Sequence, residues 1–421
     1  MRTRSILFIV FVSLALFSIA QIAAAQSSGD CPALAEQALQ EVANNCAIPG
    51  RSSTCYGYPL VEVTGWDEAD VPNFSEPGDR ADLLELSSIL SSPLDVEAGE
   101  WGIAVTNIQA NLPIGMPGQG GVFISMGDVT LTNGVTPDEA LELPEAALPL
   151  TTSSAADIYN VPPDFGMTQE VVGATANGTT LQADGISADG EWVRIFFTSE
   201  TSLALSAIGW VALSAFPDDL DLSSLPTITP DSLTPMQKFY VTNGTELPGC
   251  SEIAPPLLYV QGPEEIELDF IANDVPIRVS STALIRIIPP GNTMQIIALA
   301  GIIIIDPESN EPVILAPGFT STIALGELVD LNGDGIANER APLPGASWAD
   351  PELMDPSELE ALAEALNENI PENLQYYEVN VPVLICASGV GEPVCEVQQP
   401  ASSTRIAELC ALGLLPPELC G

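Results

Sequence analysis

Apolar positions alternate with polar ones over short stretches through most of the chain, and follow a helical spacing only near its two ends. From Pro32 to Asn45 they form the stripes Leu34/Ala38/Val42 and Ala35/Leu39/Ala43, one face of a helix with proline at its first position. Runs rich in β-branched residues follow at Tyr58–Val63, Ile103–Leu112, Val122–Met126 and Val129–Thr132, between Gly, Pro and Asn breaks. The signal returns from Met236 to Val329 as short strands at Leu257–Val260, Ile266–Ile271, Ile277–Val279, Leu284–Ile288, Met294–Leu299, Ile302–Ile305 and Val313–Leu315. Such close spacing with turn residues between predicts a sandwich or a small barrel. A second helix is predicted over Ser357–Asn369, where Ser357 and Glu360 form a capping box, and a third over Ser403–Leu412.

The pattern divides the chain into a leader (1–25), a β-rich unit led by one helix (26–150), a second unit (151–217), and a Pro/Asp/Ser linker (218–235). A β unit (236–329), a loop and linker (330–346), and a helical, cysteine-bearing C-terminal module (347–421) follow. The expected fold class is mainly β and multidomain. The leader has Arg2 and Arg4 before the apolar run Ile6–Ala20, then Ala23-Ala24-Ala25, the layout of a cleaved secretory signal. The expected location is therefore secreted or envelope-associated. No later stretch is long and apolar enough for a transmembrane helix, because Met294–Ile305 is interrupted by Gly301 and ends at Asp306-Pro307.

Cysteines at 31, 46, 55, 250, 386, 395, 410 and 420 make an even set beyond the leader, which in an exported chain favours structural disulfides. A continuous first helix would hold Cys31 and Cys46 about 22 Å apart. That is too far for a bridge, which makes Cys46–Cys55 the better local pair. Cys31 is then left for Cys250, and the last four for one another.

Composition changes the functional picture mainly by exclusion. The 421 residues include 10 Lys and Arg, 57 Asp and Glu, and no His, for a formal charge of −47. Imidazole chemistry is absent, and a surface of that sign repels nucleic-acid phosphates. The glycine-rich stretch Gly115–Gly121 lacks a following Lys-Ser or Lys-Thr and reads as a turn between strands. The acidic pairs Asp67-Glu68, Asp218-Asp219 and Glu264-Glu265 could suit a carboxylate hydrolase, but they sit in turn-like contexts and read as solvated surface.

Residues 151–217 resemble a bacterial SH3 (SH3b) domain. The resemblance rests on Ala155-Ala156-Asp157-Ile158-Tyr159, Glu170-Val171-Val172-Gly173, Ala176-Asn177-Gly178-Thr179, Gly190-Glu191-Trp192-Val193-Arg194 and the terminal Gly209-Trp210-Val211. It implies a small SH3-like barrel beside sandwich-like units, and a role in binding cell-wall peptide or glycan, or another surface protein. The Arg that follows the first strand in the family, and its Ser-Gly-Pro turn, are absent here. Tyr159, Phe165 and Trp210 are the candidate ligand platform, with Tyr159 and Phe165 expected to be exposed beside the Pro162-Pro163 turn and Trp192 expected in the core. Residues 236–329 more faintly resemble a FecR-type β domain through Val275-Pro276-Ile277-Arg278-Val279, Ala298-Leu299-Ala300-Gly301 and Val313–Gly318.

Asp330-Leu331-Asn332-Gly333-Asp334-Gly335 matches the start of a calcium loop, with Asp330, Asn332, Asp334 and Asn338 as candidate ligands. Ala341 stands at the twelfth position where a carboxylate is expected, and Glu339 lies off register. The sequence therefore points to an exported, non-enzymatic binding protein. A calcium-dependent structural or adhesive surface protein and a secreted carboxylate hydrolase are the alternatives.

Overall fold

A computed structural model describes residues 31–46, 52–109, 120–144, 146–197, 207–244, 255–262, 267–288 and 290–355. It also describes residues 357, 358 and 362, and the backbone of 383–387 and 394–398. The chain is mainly β. The first segment carries helix α1 (Cys31–Cys46) and strands β1 (Ser53–Tyr58), β2 (Val61–Gly65), β3 (Arg80–Asp82), β4 (Leu86–Ser91), β5 (Ile103–Gln109), β6 (Gly120–Met126) and β7 (Val129–Asn133). A middle segment carries β8 (Leu148–Thr151), β9 (Ala156–Tyr159), β10 (Val171–Thr175), β11 (Thr180–Ser187), β12 (Trp192–Phe197), β13 (Ala207–Ala212) and β14 (Thr227–Ile228). Then come β15 (Lys238–Asn243), β16 (Leu257–Gln261), β17 (Leu268–Ala272), β18 (Val275–Val279) and β19 (Thr282–Ile288). The series continues with β20 (Thr293–Ala300), β21 (Ile303–Ile305), β22 (Val313–Leu315), β23 (Phe319–Ala324), β24 (Glu352–Leu353), β25 (Val383–Ala387) and β26 (Val394–Gln398).

The segments 26–150 and 236–329 do not form separate units. They contribute to the same two sheets, with orders β24-β23-β20-β19-β16-β6-β5-β1-β3 and β2-β4-β7-β15-β17-β18-β21-β22. The join is made by β6 against β16 and β7 against β15, both antiparallel. Pairing of strands more than a hundred residues apart leaves no local trace in the sequence, which is why the pattern read as two units.

Alternation along each strand builds the core between the sheets. Leu258, Val260, Ala283, Ile285, Ile296 and Ala298 face inward from one sheet, against Leu131, Val241, Phe270, Ile277 and Ile303 from the other. Phe123, Phe239 and Phe270 meet at its centre with ring centroids 5.3–5.6 Å apart. Edge-to-face contacts there add to the burial term. The opposite face of the first sheet is also apolar: Ile124, Leu257, Tyr259, Leu284 and Ile297 share a cluster with α1.

Helix α1 spans the predicted stretch and buries Ala35, Ala38, Leu39, Val42 and Ala43. It lies so close to β1 that a Cβ at Gly57 would meet Ile103 O at 2.6 Å and Val42 Cγ2 at 3.0 Å. Its last residue forms the Cys46–Cys55 disulfide, with Cα atoms 5.9 Å apart, as the spacing argument requires. The reading of Tyr58–Val63 as one strand is corrected. The chain breaks at Pro59-Leu60, where Leu60 takes φ 74°, and β1 and β2 enter different sheets.

In the C-terminal module, the register of β25 with β26 sets Cys386 opposite Cys395. The signal segment, Cys250, Cys410, Cys420, the glycine-rich turn up to Gln119, and most of the two C-terminal helices lie outside the described residues. No helix among the described residues is long and apolar enough to cross a membrane.

Candidate functional site

The middle segment is an insertion into the β7–β15 hairpin. Asn133 pairs with Phe239, and Gly134 N donates to Lys238 O at 2.9 Å, so the chain leaves the sandwich and returns within one hydrogen bond. The buried Asn133 amide fixes this neck. Its Nδ2 donates to Leu83 O (3.2 Å) and Leu86 O (3.0 Å), and its Oδ1 accepts from Val135 N (3.0 Å) and Met236 N (3.2 Å). All four hydrogen-bonding positions of the amide are filled.

The insert forms its own sheet in the order β10-β9-β13-β12-β11-β14, with β8 also on β11. One face carries Leu150, Ile158, Leu181, Val193, Ile195 and Val211. Register places Arg194 against Trp210, and Trp210 against Tyr159. With Trp192 two residues along β12 from Arg194, these residues share the other face.

That face is covered, and the cover corrects two expectations together. The segment 218–235 is not a linker: Leu220 and Leu222 pack on the first core, Leu225 is buried, and Thr227–Ile228 joins the sheet as β14, parallel to β11. Ile228, with Leu141 from the outgoing arm and Val161, closes over Trp210 and Phe165. Trp210 is 0% exposed and Phe165 6%, with rings 5.3 Å apart. Neither can offer a face to a ligand. Tyr159 and Trp192 remain half-buried instead, in an edge-to-face pair at 5.5 Å, so Trp192 rather than Phe165 is the more accessible partner. The sequence marked the aromatics but not the strand that buries two of them.

Beneath Trp210 lies a buried ion pair, with Arg194 Nε 3.1 Å from Asp184 Oδ1. The register of β11 with β12 shifts between Ala183 and Gly185, and that bulge inserts Asp184 as the extra residue. Burial pulls the Arg194 guanidinium below its ordinary value while Asp184 opposes the shift.

A pocket of about 490 Å³ adjoins Trp192. It is lined by Trp192, Leu213, Leu220 and Leu222, with the carboxylate residues Glu191 and Asp218 also in its wall. Both acidic residues are exposed. The sequence read Asp218 as a solvated linker residue. Only the return of 218–228 onto the sheet brings it beside Trp192.

In the 330–339 loop, the candidate calcium ligands are held mainly by the loop itself. Asp330 accepts from Gly333 N (2.8 Å) and Gly335 N (3.1 Å), Asn332 Oδ1 from Asp334 N (3.1 Å), and Asp334 Oδ1 from Ile336 N (2.8 Å). Asn332 Nδ2 reaches Asn133 O at 3.2 Å, tying the loop to the neck. Glu339 is buried, accepts from Leu331 N at 2.9 Å, and bridges Val329. Burial pushes its carboxyl up, against the Leu331 hydrogen bond, and Asp334 adds to the rise. Asn338, with its amide nitrogen turned inward, donates to Glu339 Oε1 at 2.6 Å. Among the described residues no group of three or more His, Cys, Asp or Glu is placed to hold a metal ion.

No family model matches the chain, and no curated protein and no solved structure matches it.

Proposed function

We propose that this chain is an exported, non-enzymatic binding protein in which the sandwich is a frame and the inserted unit, residues 148–228, is the binding module for cell-wall peptide or glycan. The observation that carries the reading is the half-buried Tyr159–Trp192 pair on the insert, beside a pocket, while Trp210 and Phe165 are enclosed. Paired aromatics with one open face stack on sugars or hold an extended peptide. The SH3b resemblance of the same segment supports it, and placement on a hairpin neck sets the module off from the frame.

The full chain should be retained by isolated bacterial wall saturably and without turnover of the wall. Tyr159→Ser should weaken retention roughly tenfold, the scale of one lost aromatic contact. Retention no greater than that of an unrelated protein of similar charge would end this reading. So would wall hydrolysis abolished by a single Asp or Glu substitution.

Calcium at the 330–339 loop is the second reading, supported by the D-x-N-x-D-G pattern and by the return of Glu339 against the loop. Calcium should raise the melting temperature saturably beyond magnesium at matched ionic strength, by mass action on the folded state. The double change Asp330→Asn, Asp334→Asn should abolish that increment. Identical responses to the two cations would refute it.

A further inference from the structure

The pocket beside Trp192 has an acidic wall as well as an apolar one. Over residues 148–228 the only basic residue is Arg194, and it is buried against Asp184. Nothing in that segment offers a positive charge to a ligand, whereas Glu191 and Asp218 line the pocket together with an indole and three leucines. A carboxylate or phosphate ligand would be repelled from such a wall. A neutral sugar would leave both carboxylates without a counter-charge. An ammonium group answers all three features: carboxylates for the charge, the Trp192 indole beside the cation, and leucines for the apolar part of its carrier.

We infer that this pocket binds an organic ammonium group carried on a peptide side chain or an amino sugar, with Glu191 and Asp218 as its counter-charges and Trp192 as its aromatic wall. The inference rests on the reading of the insert as a binding module and narrows it to one ligand chemistry. The two acidic residues come from separate pieces of chain. Glu191 sits in the turn before β12, and its backbone oxygen accepts from Leu213 N at 2.7 Å. Asp218 lies just beyond the short helical turn Leu213–Ala215. The site therefore exists only because the segment after β13 doubles back on the sheet.

Calorimetric titration of the full chain tests it, using acetyl-Gly-Lys-Gly-amide in one arm and the glucosamine trimer in the other. Each arm is paired with its N-acetylated counterpart. Saturable one-site binding of at least one amine, absent for its acetylated form, is expected, and the arm that binds names the source. The exposed double change Glu191→Gln, Asp218→Asn should weaken it roughly tenfold, the sum of two solvent-exposed ion pairs. Trp192→Phe should weaken it a few-fold. The remote change Glu308→Gln, Glu311→Gln should leave it unaltered.

Equal binding of acetylated probes, no binding by either amine, or equal loss in the remote variant would overturn the inference. The last outcome would mean counter-ion attraction to an acidic surface. Wall retention is a separate readout. Amine binding without wall retention would refute the wall assignment and leave this site standing, and wall retention without amine binding would do the reverse.

Discussion

Asn133→Leu should cost about 3–5 kcal/mol of stability, the scale reached when a buried hydrogen-bond network loses its centre. Leucine keeps the branching at Cγ and is larger than asparagine, so the loss is not a cavity effect. It removes a partner from Leu86 O on one side and from the N–H groups of Val135 and Met236 on the other, while Leu83 O keeps its bond from Leu86 N at 3.3 Å. Each buried polar group without a partner costs roughly 1–3 kcal/mol, though solvent reaching the neck would relieve some of them. Asn133→Asp keeps the two acceptor contacts but sets a buried carboxylate against Leu83 O and Leu86 O, so at neutral pH it should cost at least as much as the leucine change. Denaturant unfolding measures the cost. Hydrogen exchange locates it, because the Val135 and Met236 amides should lose protection first. A leucine variant within about 1 kcal/mol of the native chain would show that the neck does not depend on this side chain.

Asn133 also marks how far the sequence carries. Helix α1, its disulfide to Cys55, and most strands were legible because each depends on local spacing: 3.6-residue stripes, two-residue alternation, or a loop short enough to close. The missed strands have local reasons too. The sequence Phe319-Thr-Ser-Thr-Ile-Ala324 of β23 is half polar, yet Thr320 and Ser321 are buried because their hydroxyls donate to Ile296 O and Ala349 O. A hydroxyl satisfied by a distant carbonyl cannot be told from a solvent-facing one by composition. Asn133 itself sits at the end of an ordinary strand run, and nothing nearby announces four partners on three segments.

Phe165 and Trp210 are enclosed, against expectation, for one physical reason. Aromatic residues in the insert were recognisable, but their exposure depends on Pro217–Pro235, which the proline and aspartate content marked as a linker. Prolines exclude a central strand, not a short edge strand, and β14 is two residues long at the sheet edge. That strand encloses Trp210 through Ile228, and the turns before it bring Asp218 to the pocket. A burial assignment made without this segment therefore reverses Phe165 and Trp192.

Breaking the Asp184–Arg194 pair should produce the second large effect, and one whose origin a double change can identify. Arg194→Met takes the guanidinium away from Asp184, itself 1% exposed, and removal of one partner from a buried pair costs about 3–5 kcal/mol. Asp184→Leu removes the carboxylate from beside the buried guanidinium and should cost a similar amount. Arg194→Met with Asp184→Leu removes both charges, so it should recover most of the loss, because a buried pair contributes little net stability over apolar residues of similar size. The expected coupling is thus large and favourable, and the double variant should lie within about 1–2 kcal/mol of the native chain. Gly185 limits the repacking, since Ile228 already stands 2.2 Å from where its Cβ would be. Denaturant unfolding measures the cost, and hydrogen exchange at the β11 and β12 amides assigns it to the insert. If the double variant is as unstable as the sum of the singles, the pair holds the bulge of β11 by geometry rather than by charge. The sheet that positions Trp192 would then need Asp184 and Arg194 as shapes, and the pocket beside it should lose its ligand in the double variant as well.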